Sequence, residues 1–349
     1  MPTFADFYGN PAVAEALAQA IGQNRIPQTI LLSGPEGLGK ATLARRFAAA
    51  LLGDAAKIEQ DDLSFASNLE FVESRDKWSS EKRADDPLFF SSHPDFVTFA
   101  PDGPLRQITI QQMRLLRERA QLRPLRGNHR VFLIDHLDRA NEQSANSLLK
   151  VLEEPPDHLV IVATAENLYD LLPTIRSRSI VFQMARLSDS EMLEFARARN
   201  LPDSQTRIAL AEGSPGLAAS LDLEQFRRRR ALILSAFECA AGLSSFGVWV
   251  QNSEAFAASK SEKLDGYLKL AYGIIEDVLA ARHHKTVTKN RDIQQRITAI
   301  AQAVNFPWLE RAVRQLDELV LMVRRNIQKT GALDAMIINL RNPSERAST

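Results

Sequence analysis

The chain has 349 residues, with 43 basic and 43 acidic side chains, so its formal net charge at neutral pH is zero. This balance argues against a protein that coats a polyanion, and a composition of 45% hydrophobic and 25% charged residues excludes wholesale disorder. The single cysteine, Cys239, excludes an intramolecular disulfide framework and a multi-cysteine zinc site. No apolar run approaches the roughly 18 residues of a membrane span, and the N-terminus lacks a signal-peptide pattern. Composition therefore predicts a soluble, cytoplasmic protein of two or three domains.

The first half of the chain alternates short β-branched runs with helical patterns, which is typical of a parallel sheet covered by helices. Most of the strand-like runs are almost continuously apolar, as strands buried on both faces of a sheet should be. Five runs are predicted to be strands: Thr29–Ser33, Phe96–Phe99, Arg130–Asp135, Leu159–Thr164 and Ser179–Phe182. Two of the intervening helices are predicted at Lys40–Leu52 and Gln111–Gln121.

The stretch 54–92 interrupts this alternation. It is rich in Asp, Glu, Ser and Lys and has no sustained period, which predicts an insertion or mobile loop with room for an unplaced helix. After Phe182 the strand pattern stops, and the short helices Leu187–Arg199 and Ser204–Glu212 follow. From about Leu223 the chain is almost entirely helical in pattern.

The C-terminal region contains three features that need separate interpretation. A long helix is predicted around Trp308–Lys329, with Gly331 as the residue that follows its end. The basic run Arg227–Arg230 points all round its helix, so most of these side chains are predicted to be solvated or paired with acids such as Asp222 and Glu224. We therefore do not assign this run to DNA, and we interpret Cys239 as a small core residue.

A phosphate-loop motif follows the first predicted strand. Residues 34–42, GPEGLGKAT, match G-x-x-x-x-G-K in the required strand–loop–helix context. Glycines let consecutive backbone N–H groups curl around a phosphate, and the helix dipole and the lysine add positive charge. The candidate phosphate-binding residues are Gly34, Gly37, Gly39, Lys40 and Thr42.

The residue after the motif's lysine is unusual. Ala41 stands where a hydroxyl should coordinate Mg²⁺, and Thr42 cannot simply replace it, because one step along a helix rotates the side chain by about 100°. Two interpretations stay open at this point. The loop either binds a nucleotide or survives only as a helix cap and packing element.

A second acidic motif lies at the end of the third predicted strand. An apolar strand ending in Asp135 has the Walker B arrangement, in which the carboxylate holds the water shell of a metal ion. In hydrolysing proteins of this type the next residue is a glutamate that orients the attacking water. Here it is His136, and the following acid, Asp138, is displaced from that position. Together with Ala41, this replacement predicts a chain that does not hydrolyse ATP.

The segment 145–156, ANSLLKVLEEPP, is locally a helix stopped by a proline pair. As a string, LLKxLEEPP closely resembles the signature of the clamp-loader AAA+ family, whose members open and load the sliding clamp in DNA replication. The resemblance continues at Thr164, in the place of the family's sensor 1 residue. It continues again at Ser177-Arg178-Ser179, which aligns with the family's Ser-Arg-Cys motif.

The resemblance implies an α/β AAA+ fold: a parallel five-stranded P-loop domain over 1–184, a small helical lid over 185–222 and an all-α collar over 223–349. The cysteines that bind zinc in the family are absent from 54–92, so no zinc is expected. ATP is the cofactor implied, at a degenerate site that would comprise the loop residues, Asp135 and Thr164.

Within the family, three features are similar to the non-hydrolysing subunit type and not to the gamma/tau motor. They are Ala41, the sequence His93-Pro94-Asp95 before the second strand, and an arginine-free 213–216 where the motor carries a sensor 2 arginine. The partners implied are the gamma/tau and delta subunits, with the sliding clamp and primer–template DNA reached through the assembled complex. The alternatives are a hydrolysing AAA+ ATPase, either gamma/tau-like or another remodeller, and a small-molecule kinase that would leave LLKxLEEPP unexplained.

By the same resemblance, Arg178 is an arginine finger that acts in trans, in the ATP site of a neighbouring subunit. A guanidinium delivered in this way stabilises the charge that develops during phosphoryl transfer. From this residue alone, a surface salt bridge at a strand entrance is the favoured interpretation of Arg178, and the flanking motifs favour the finger. Arg176 is the nearest rival for the finger role.

Overall fold

The computed structural model describes residues 4, 6–258, 264–283, 290–323 and 329–341. The chain divides into two compact units, 1–220 and 221–349. The boundary predicted at 184/185 lies inside the first unit, and the division into three domains stays a prediction. Within the described ranges, no helix combines the length and apolar character needed to cross a bilayer.

The first unit is built on a parallel sheet. Its strands are β1 (Thr29–Ser33), β2 (Phe96–Phe99), β3 (Arg130–Ile134), β4 (Leu159–Ala165) and β5 (Ile180–Gln183). Their order in the sheet is β2-β3-β4-β1-β5, and Leu31 pairs with Ala163 on one side and Val181 on the other. The strands β1 to β4 are buried throughout, whereas the edge strand β5 is largely exposed. The predicted five-stranded sheet is confirmed, with strand ends that differ by one residue at most.

Helices cover both faces of this sheet. They are α1 (Pro11–Gly22), α2 (Lys40–Leu52), α3 (Ala55–Glu59), α4 (Ala66–Ser74), α5 (Ser80–Asp85), α6 (Ile110–Ala120), α7 (Glu142–Glu153), α8 (Pro173–Ser177), α9 (Asp189–Ala198), α10 (Ser204–Ala211) and α11 (Pro215–Ser220). Ile30 packs in one apolar cluster with Phe47 of α2, and the next residue, Leu31, packs in another with Leu148 of α7. This alternation follows from the two-residue period of a strand, and it places the sheet between two helical layers.

The segment 54–92 is not a mobile loop, so that alternative was wrong, whereas the allowance for an unplaced helix in it was correct. It forms α3, α4, a 3₁₀ turn at Arg75–Lys77 and α5. Arg75 is almost fully buried and donates to both carboxylate oxygens of Asp102, at 2.9 and 2.8 Å. Arg45 of α2 pairs with Glu59 and Asp62. The helices are too short to show a period, and polar contacts to distant residues hold them in place.

The sequence His93-Pro94-Asp95 holds a neighbouring loop by hydrogen bonds. The buried carboxylate of Asp95 accepts from the N–H groups of Leu125 and Arg126, at 2.8 and 2.7 Å. The N–H of Asp95 donates to Nδ1 of His93 at 3.1 Å. Burial lowers the pKa of His93, which favours the neutral ring that can accept this bond. The motif thus fastens the loop between α6 and β3 to the start of β2.

The second unit is helical in the ranges described. Its helices are α12 (Leu223–Ala240), α13 (Phe246–Ala258), α14 (Leu264–Arg282), α15 (Gln294–Ala303), α16 (Phe306–Val323) and α17 (Lys329–Arg341). Cys239 lies in its core, as predicted, beside an edge-to-face pair of Phe237 and Trp308 with centroids 6.2 Å apart.

The prediction that Gly331 follows the end of the long helix was wrong, because Gly331 lies inside α17. The described part of α16 reaches Val323, and residues 324–328 of the predicted helix lie outside the described ranges. Glycine costs about 1 kcal/mol in a helix interior. Burial of Leu333 and Ile337 in the core of the unit outweighs that cost.

The arginine run is only partly as predicted. Arg228 pairs with Glu224 one turn away, as predicted, and the Asp222 carboxylate caps α12 by accepting from the N–H of Gln225. Arg230 differs because it is buried and pairs with Asp292, which follows in sequence only after α14. The prediction considered only acids that are close in sequence to the arginines, so it could not identify such a distant partner.

Candidate functional site

The phosphate loop connects the carboxyl end of β1 to the start of α2. Gly34, Gly37 and Gly39 have φ angles of 149°, 78° and 82°, in a region that glycine adopts readily and other residues rarely do. The N–H of Gly34 donates to the carbonyl of Ala165 at 3.1 Å, which ties the loop to the end of β4. The strand–loop–helix arrangement of the motif is therefore present.

Lys40 folds back over this loop. Its ammonium group donates to the carbonyls of Gly34 and Pro35, at 2.6 and 2.7 Å, and the residue is only 6% exposed. Burial lowers the pKa of Lys40, while the charges of Glu166 and Asp135 act in the opposite direction. The loop thus contains a buried cation that faces acidic groups at the ends of the neighbouring strands.

The segment 213–216 lies directly against the loop. The N–H of Gly216 donates to the carbonyl of Gly37 at 2.8 Å, and the hydroxyl of Ser214 donates to the carbonyl of Glu36 at 2.9 Å. A Cβ atom on Gly216 would lie 2.9 Å from the Gly37 carbonyl oxygen, so only glycine fits this approach. Where the gamma/tau type carries an arginine, this chain makes close main-chain contact with its own loop.

Asp135 and Thr164 form a hydrogen-bonded pair at the ends of β3 and β4. The Thr164 hydroxyl donates to the Asp135 carboxylate at 2.6 Å and accepts from the N–H of His136 at 2.8 Å. Both side chains are buried. The predicted Walker B and sensor 1 residues are therefore adjacent, and they share the site with Lys40.

His136 occupies the position that follows the Walker B aspartate. Its φ of 53° is left-handed, and its Nδ1 atom lies 3.6 Å from a carboxylate oxygen of Glu166. In the described part of the chain this Nδ1 has no hydrogen-bond partner. Asp138 accepts from the N–H of Glu166 at 3.0 Å. The nearby acid is thus engaged in holding the main chain, and an imidazole stands beside Asp135.

Arg178 lies in a second location, at the end of α8. Its guanidinium donates to the Thr174 carbonyl at 3.1 Å and to a Glu153 oxygen at 3.0 Å, and its side chain is 36% exposed. The hydroxyls of Ser177 and Ser179 both donate to carbonyls of α8, at 3.1 and 2.8 Å. The two serines therefore cap carbonyls of the helix, and the guanidinium of the arginine between them folds back to the Thr174 carbonyl and to Glu153.

Arg176, the rival arginine, is placed differently. Its guanidinium lies 5.6 Å from the ring centroid of Tyr169, a residue that is itself 83% exposed. The two arginines thus have distinct partners, an aromatic face for Arg176 and a carboxylate for Arg178.

The predicted site residues therefore fall into two groups. Lys40, Asp135 and Thr164 meet at the carboxyl ends of β1, β3 and β4, with Thr42 in the first turn of α2. Arg178 and its serines belong to the other group. Glu153 was not predicted as a site residue from the sequence, although it belongs to the LEEPP string. The contacts of Ser214 were not predicted either, and the sequence carries no signal for them.

This fold implies a nucleotide at the loop, and the residues fit part of one. The three glycines adopt positive φ angles and Lys40 supplies a buried cation, a combination that fits a phosphate. A Cβ atom at Gly37 would lie 2.9 Å from Cγ of Leu217, so the packing of 214–217 against the loop also requires glycine there. The magnesium and water positions do not fit, since Ala41 has no hydroxyl and His136 is not a carboxylate. The site therefore has the loop of the phosphate-binding motif but has neither a hydroxyl at residue 41 nor a carboxylate at residue 136.

The parallel sheet, phosphate loop, Walker B aspartate and helices 189–220 together define a P-loop protein of the AAA+ class. The family model for DNA polymerase III, delta subunit, matches residues 9–188, which is more than half of the chain. The chain therefore belongs to this family, and its resemblance to clamp-loader subunits of DNA replication is confirmed.

Individual relatives agree with this family. The chain is 30% identical over 239 residues to DNA polymerase III subunit delta' of Pseudomonas aeruginosa, a match that covers 66% of each protein. It is 25% identical over 219 residues to the tau/gamma subunit of Haemophilus influenzae, covering 61% of this chain and 29% of that one. The chain thus spans two thirds or less of the curated relatives it matches. A gamma subunit-related protein of Thermotoga maritima superposes with a TM-score of 0.47 at 17% identity, covering 94% of this chain and 98% of that one.

Proposed function

We propose that the chain is a delta-prime-type subunit of a clamp loader: a stator that does not hydrolyse ATP and supplies Arg178 to the ATP site of a neighbouring subunit. One observation carries this proposal. The site keeps its buried cation and its Asp135–Thr164 pair, but Ala41 and His136 replace the two groups that hydrolysis needs. A nucleotide site that keeps these residues but lacks the hydrolytic groups suits a subunit that positions its neighbours and does not hydrolyse ATP.

Ala41 and His136 affect different requirements of ATP hydrolysis, the binding of magnesium and the orientation of water. Without a hydroxyl at Ala41, a magnesium ion would lack its ligand from the loop. At residue 136, an imidazole stands in place of the carboxylate that would orient an attacking water. Asp138 stands three residues after Asp135 and not directly after it, and its Oδ2 atom accepts from the N–H of Glu166. Either loss alone would slow hydrolysis, and both together leave the site without a mechanism for it.

A nucleotide remains compatible with the loop in this proposal. The ammonium of Lys40 and the main-chain N–H groups at the start of α2 would hold its phosphates, since both are preserved. Binding would then serve a structural purpose, and the nucleotide would not be turned over.

The position of Arg178 supports a role in trans. It extends from the end of α8 and is more than one third exposed, and its two anchors, Thr174 and Glu153, leave other N–H groups of the five-donor fork available. A planar guanidinium of this kind matches the oxygens of a phosphoryl group. In GTPases such a finger contributes about 10³–10⁵ in rate.

We propose gamma/tau and delta subunits as partners, with the sliding clamp and primer–template DNA engaged through the complex in the cytoplasm. The names of the relatives support this, since they are subunits of DNA polymerase III. The unit 221–349 would form the oligomeric collar. Phe306, Val313 and Val320 share one face of α16, and each is more than one third exposed, which suits helix–helix association. Deletion of residues 221–349 should abolish assembly, whereas retained assembly would refute the collar role.

A hydrolysing AAA+ ATPase is the second candidate. The intact Lys40 and the Asp135–Thr164 pair favour it, and the matches to tau/gamma subunits do as well. Phosphate release by the purified chain separates the two functions, because only an ATPase would lose activity on Lys40→Ala. The stator role itself is tested by reconstituting the chain with gamma/tau and delta and measuring ATP hydrolysis with Arg178→Ala.

A further inference from the structure

Glu153 holds the guanidinium of Arg178. One carboxylate oxygen accepts from Nη2 at 3.0 Å, while Nη1 donates to the carbonyl of Thr174 at 3.1 Å. The two contacts fix both outer nitrogen atoms of the fork and therefore its plane. The ion pair is exposed to solvent, with 36% of the Arg178 side chain and 51% of the Glu153 side chain accessible. An exposed ion pair of this kind contributes little to folding stability, so its effect is on the orientation of the Arg178 side chain.

The carboxylate is mounted on a rigid support. Glu153 is the last residue of α7, and the two residues before it, Val151 and Leu152, are buried in the core under the sheet. The helix cannot continue because Pro155 and Pro156 follow. The carbonyl of Pro156 accepts from the N–H of Leu159 at the start of β4, which ties the end of the helix to the sheet.

A long side chain that is already held in one orientation loses less conformational entropy when it binds its target. An arginine side chain has several rotatable bonds, and immobilising them opposes any step that needs one orientation. Removing this cost matters most in the transition state, where the position of the guanidinium decides how well developing charge is stabilised.

We propose that Glu153 is the positioning residue of the arginine finger, and that it holds Arg178 in the orientation used in the neighbouring subunit. The inference rests on the proposed function, since a finger must exist before it can be positioned. It gives the first glutamate of the LEEPP string a role that was not predicted from the sequence. Glu153 acts only through Arg178 and touches no reacting atom itself.

The chain offers a matched control in the next residue. Glu154 has the same chemistry, lies at the same helix end and is exposed, but it is not the carboxylate that Arg178 contacts. The experiment uses the complex of the full chain with gamma/tau and delta subunits, a sliding clamp and primed DNA. The kcat and KM of ATP hydrolysis are measured for Glu153→Ala, Glu154→Ala, Arg178→Ala and the Glu153→Ala/Arg178→Ala double variant.

Glu153→Ala should lower kcat about three- to tenfold, the range expected for one side chain that is no longer held, and should leave KM unchanged. Glu154→Ala should match the wild type. The double variant should equal Arg178→Ala, because a positioning residue has no effect once the finger is gone. Glu153→Gln should recover part of the loss, since its amide oxygen still accepts from the guanidinium.

Several results would overturn the inference while leaving the stator function standing. They are an unchanged or increased kcat in Glu153→Ala, an equal loss in Glu154→Ala, or a further loss in the double variant beyond that of Arg178→Ala. The single variant Arg178→Ala reports on the proposed function separately. If that variant were as active as the wild type, the finger and its positioning residue would both be refuted.

Discussion

The hydroxyl of Thr164 donates a 2.6 Å hydrogen bond to the carboxylate of Asp135, and its oxygen accepts from the N–H of the next residue, His136. One side chain at the end of β4 thereby fixes both the aspartate and the main chain after it. His136 has a left-handed backbone conformation there, and its imidazole stands where a hydrolysing protein of this type would carry a water-orienting carboxylate.

The purified chain should therefore show no ATPase activity of its own. Phosphate release should not exceed that of Lys40→Ala, because neither Ala41 nor His136 supplies the group that hydrolysis needs. The measurement is steady-state phosphate release by the purified chain with Mg²⁺ and ATP. Turnover at the rate of an AAA+ motor, lost on Lys40→Ala, would show that the chain is a hydrolysing subunit.

The helices between α2 and β2 should depend on one buried ion pair. Arg75 and Asp102 are each only 1% exposed at their side chains, so Arg75→Ala leaves a buried carboxylate without its partner. Breaking such a pair costs about 3–5 kcal/mol. The free energy of unfolding in urea should fall by this order, or hydrogen exchange should rise selectively in residues 66–85.

The control for this prediction is Lys77→Ala, in the same 3₁₀ turn but on the surface. It should change stability by no more than about 0.5 kcal/mol. Equal behaviour of the two variants would mean that the pair does not hold the segment.

The sheet and the main helices could be predicted because their signals are local. Each buried strand is a run of apolar residues, and Leu43 and Phe47 repeat at helical spacing, so pattern and structure coincide. The segment 54–92 could not be predicted in this way. Its short helices are held by Arg75 and Asp102, which are 27 residues apart in sequence, and no local pattern records that pairing.

The candidate site likewise contains residues that could be predicted from the sequence and contacts that could not. The loop glycines, Lys40 and Asp135 belong to motifs with fixed spacing, so their positions followed from the sequence. The contact of Ser214 with the loop depends on how the helices after β5 fold back, which the spacing does not contain. The partner of Arg178 was equally hidden, because Glu153 lies on a different helix 25 residues earlier.

Asp61 should make stability depend on pH. Its carboxyl is fully buried; one oxygen accepts from the N–H of Ser92 at 3.0 Å, and the other has no hydrogen bond in the described part of the chain. Burial raises the pKa of Asp61 above its ordinary value of 3.8. As the pH rises from 3.8 through the native pKa, the unfolded chain releases this proton first, so folding stability declines.

Asp61→Asn removes that decline, since the amide does not titrate. The free energy of unfolding of the variant relative to wild type should therefore rise with pH between about pH 4 and pH 7. Urea unfolding at several pH values measures it, with the surface variant Asp157→Asn as the control. A difference that stays constant or falls over this range would contradict the burial of an ionisable group at Asp61.

The stator account depends most directly on Arg178. Because the side chain is exposed, Arg178→Ala should leave the protein folded and the complex assembled. Turnover at the ATP site that the finger serves should fall by about 10³-fold or more, with nucleotide affinity little changed. Arg178→Lys should restore only part of the rate, because an ammonium does not reproduce the planar fork.

The decisive measurement is single-turnover ATP hydrolysis and clamp loading by the reconstituted complex, with Arg176→Ala as the matched control on the same short helix. The account predicts that Arg178→Ala complexes fail in both assays and that Arg176→Ala complexes behave as wild type. Failure of Arg176→Ala alone would move the finger to the other arginine. Wild-type rates for both variants would contradict the account, because the chain would then give no arginine to its neighbour.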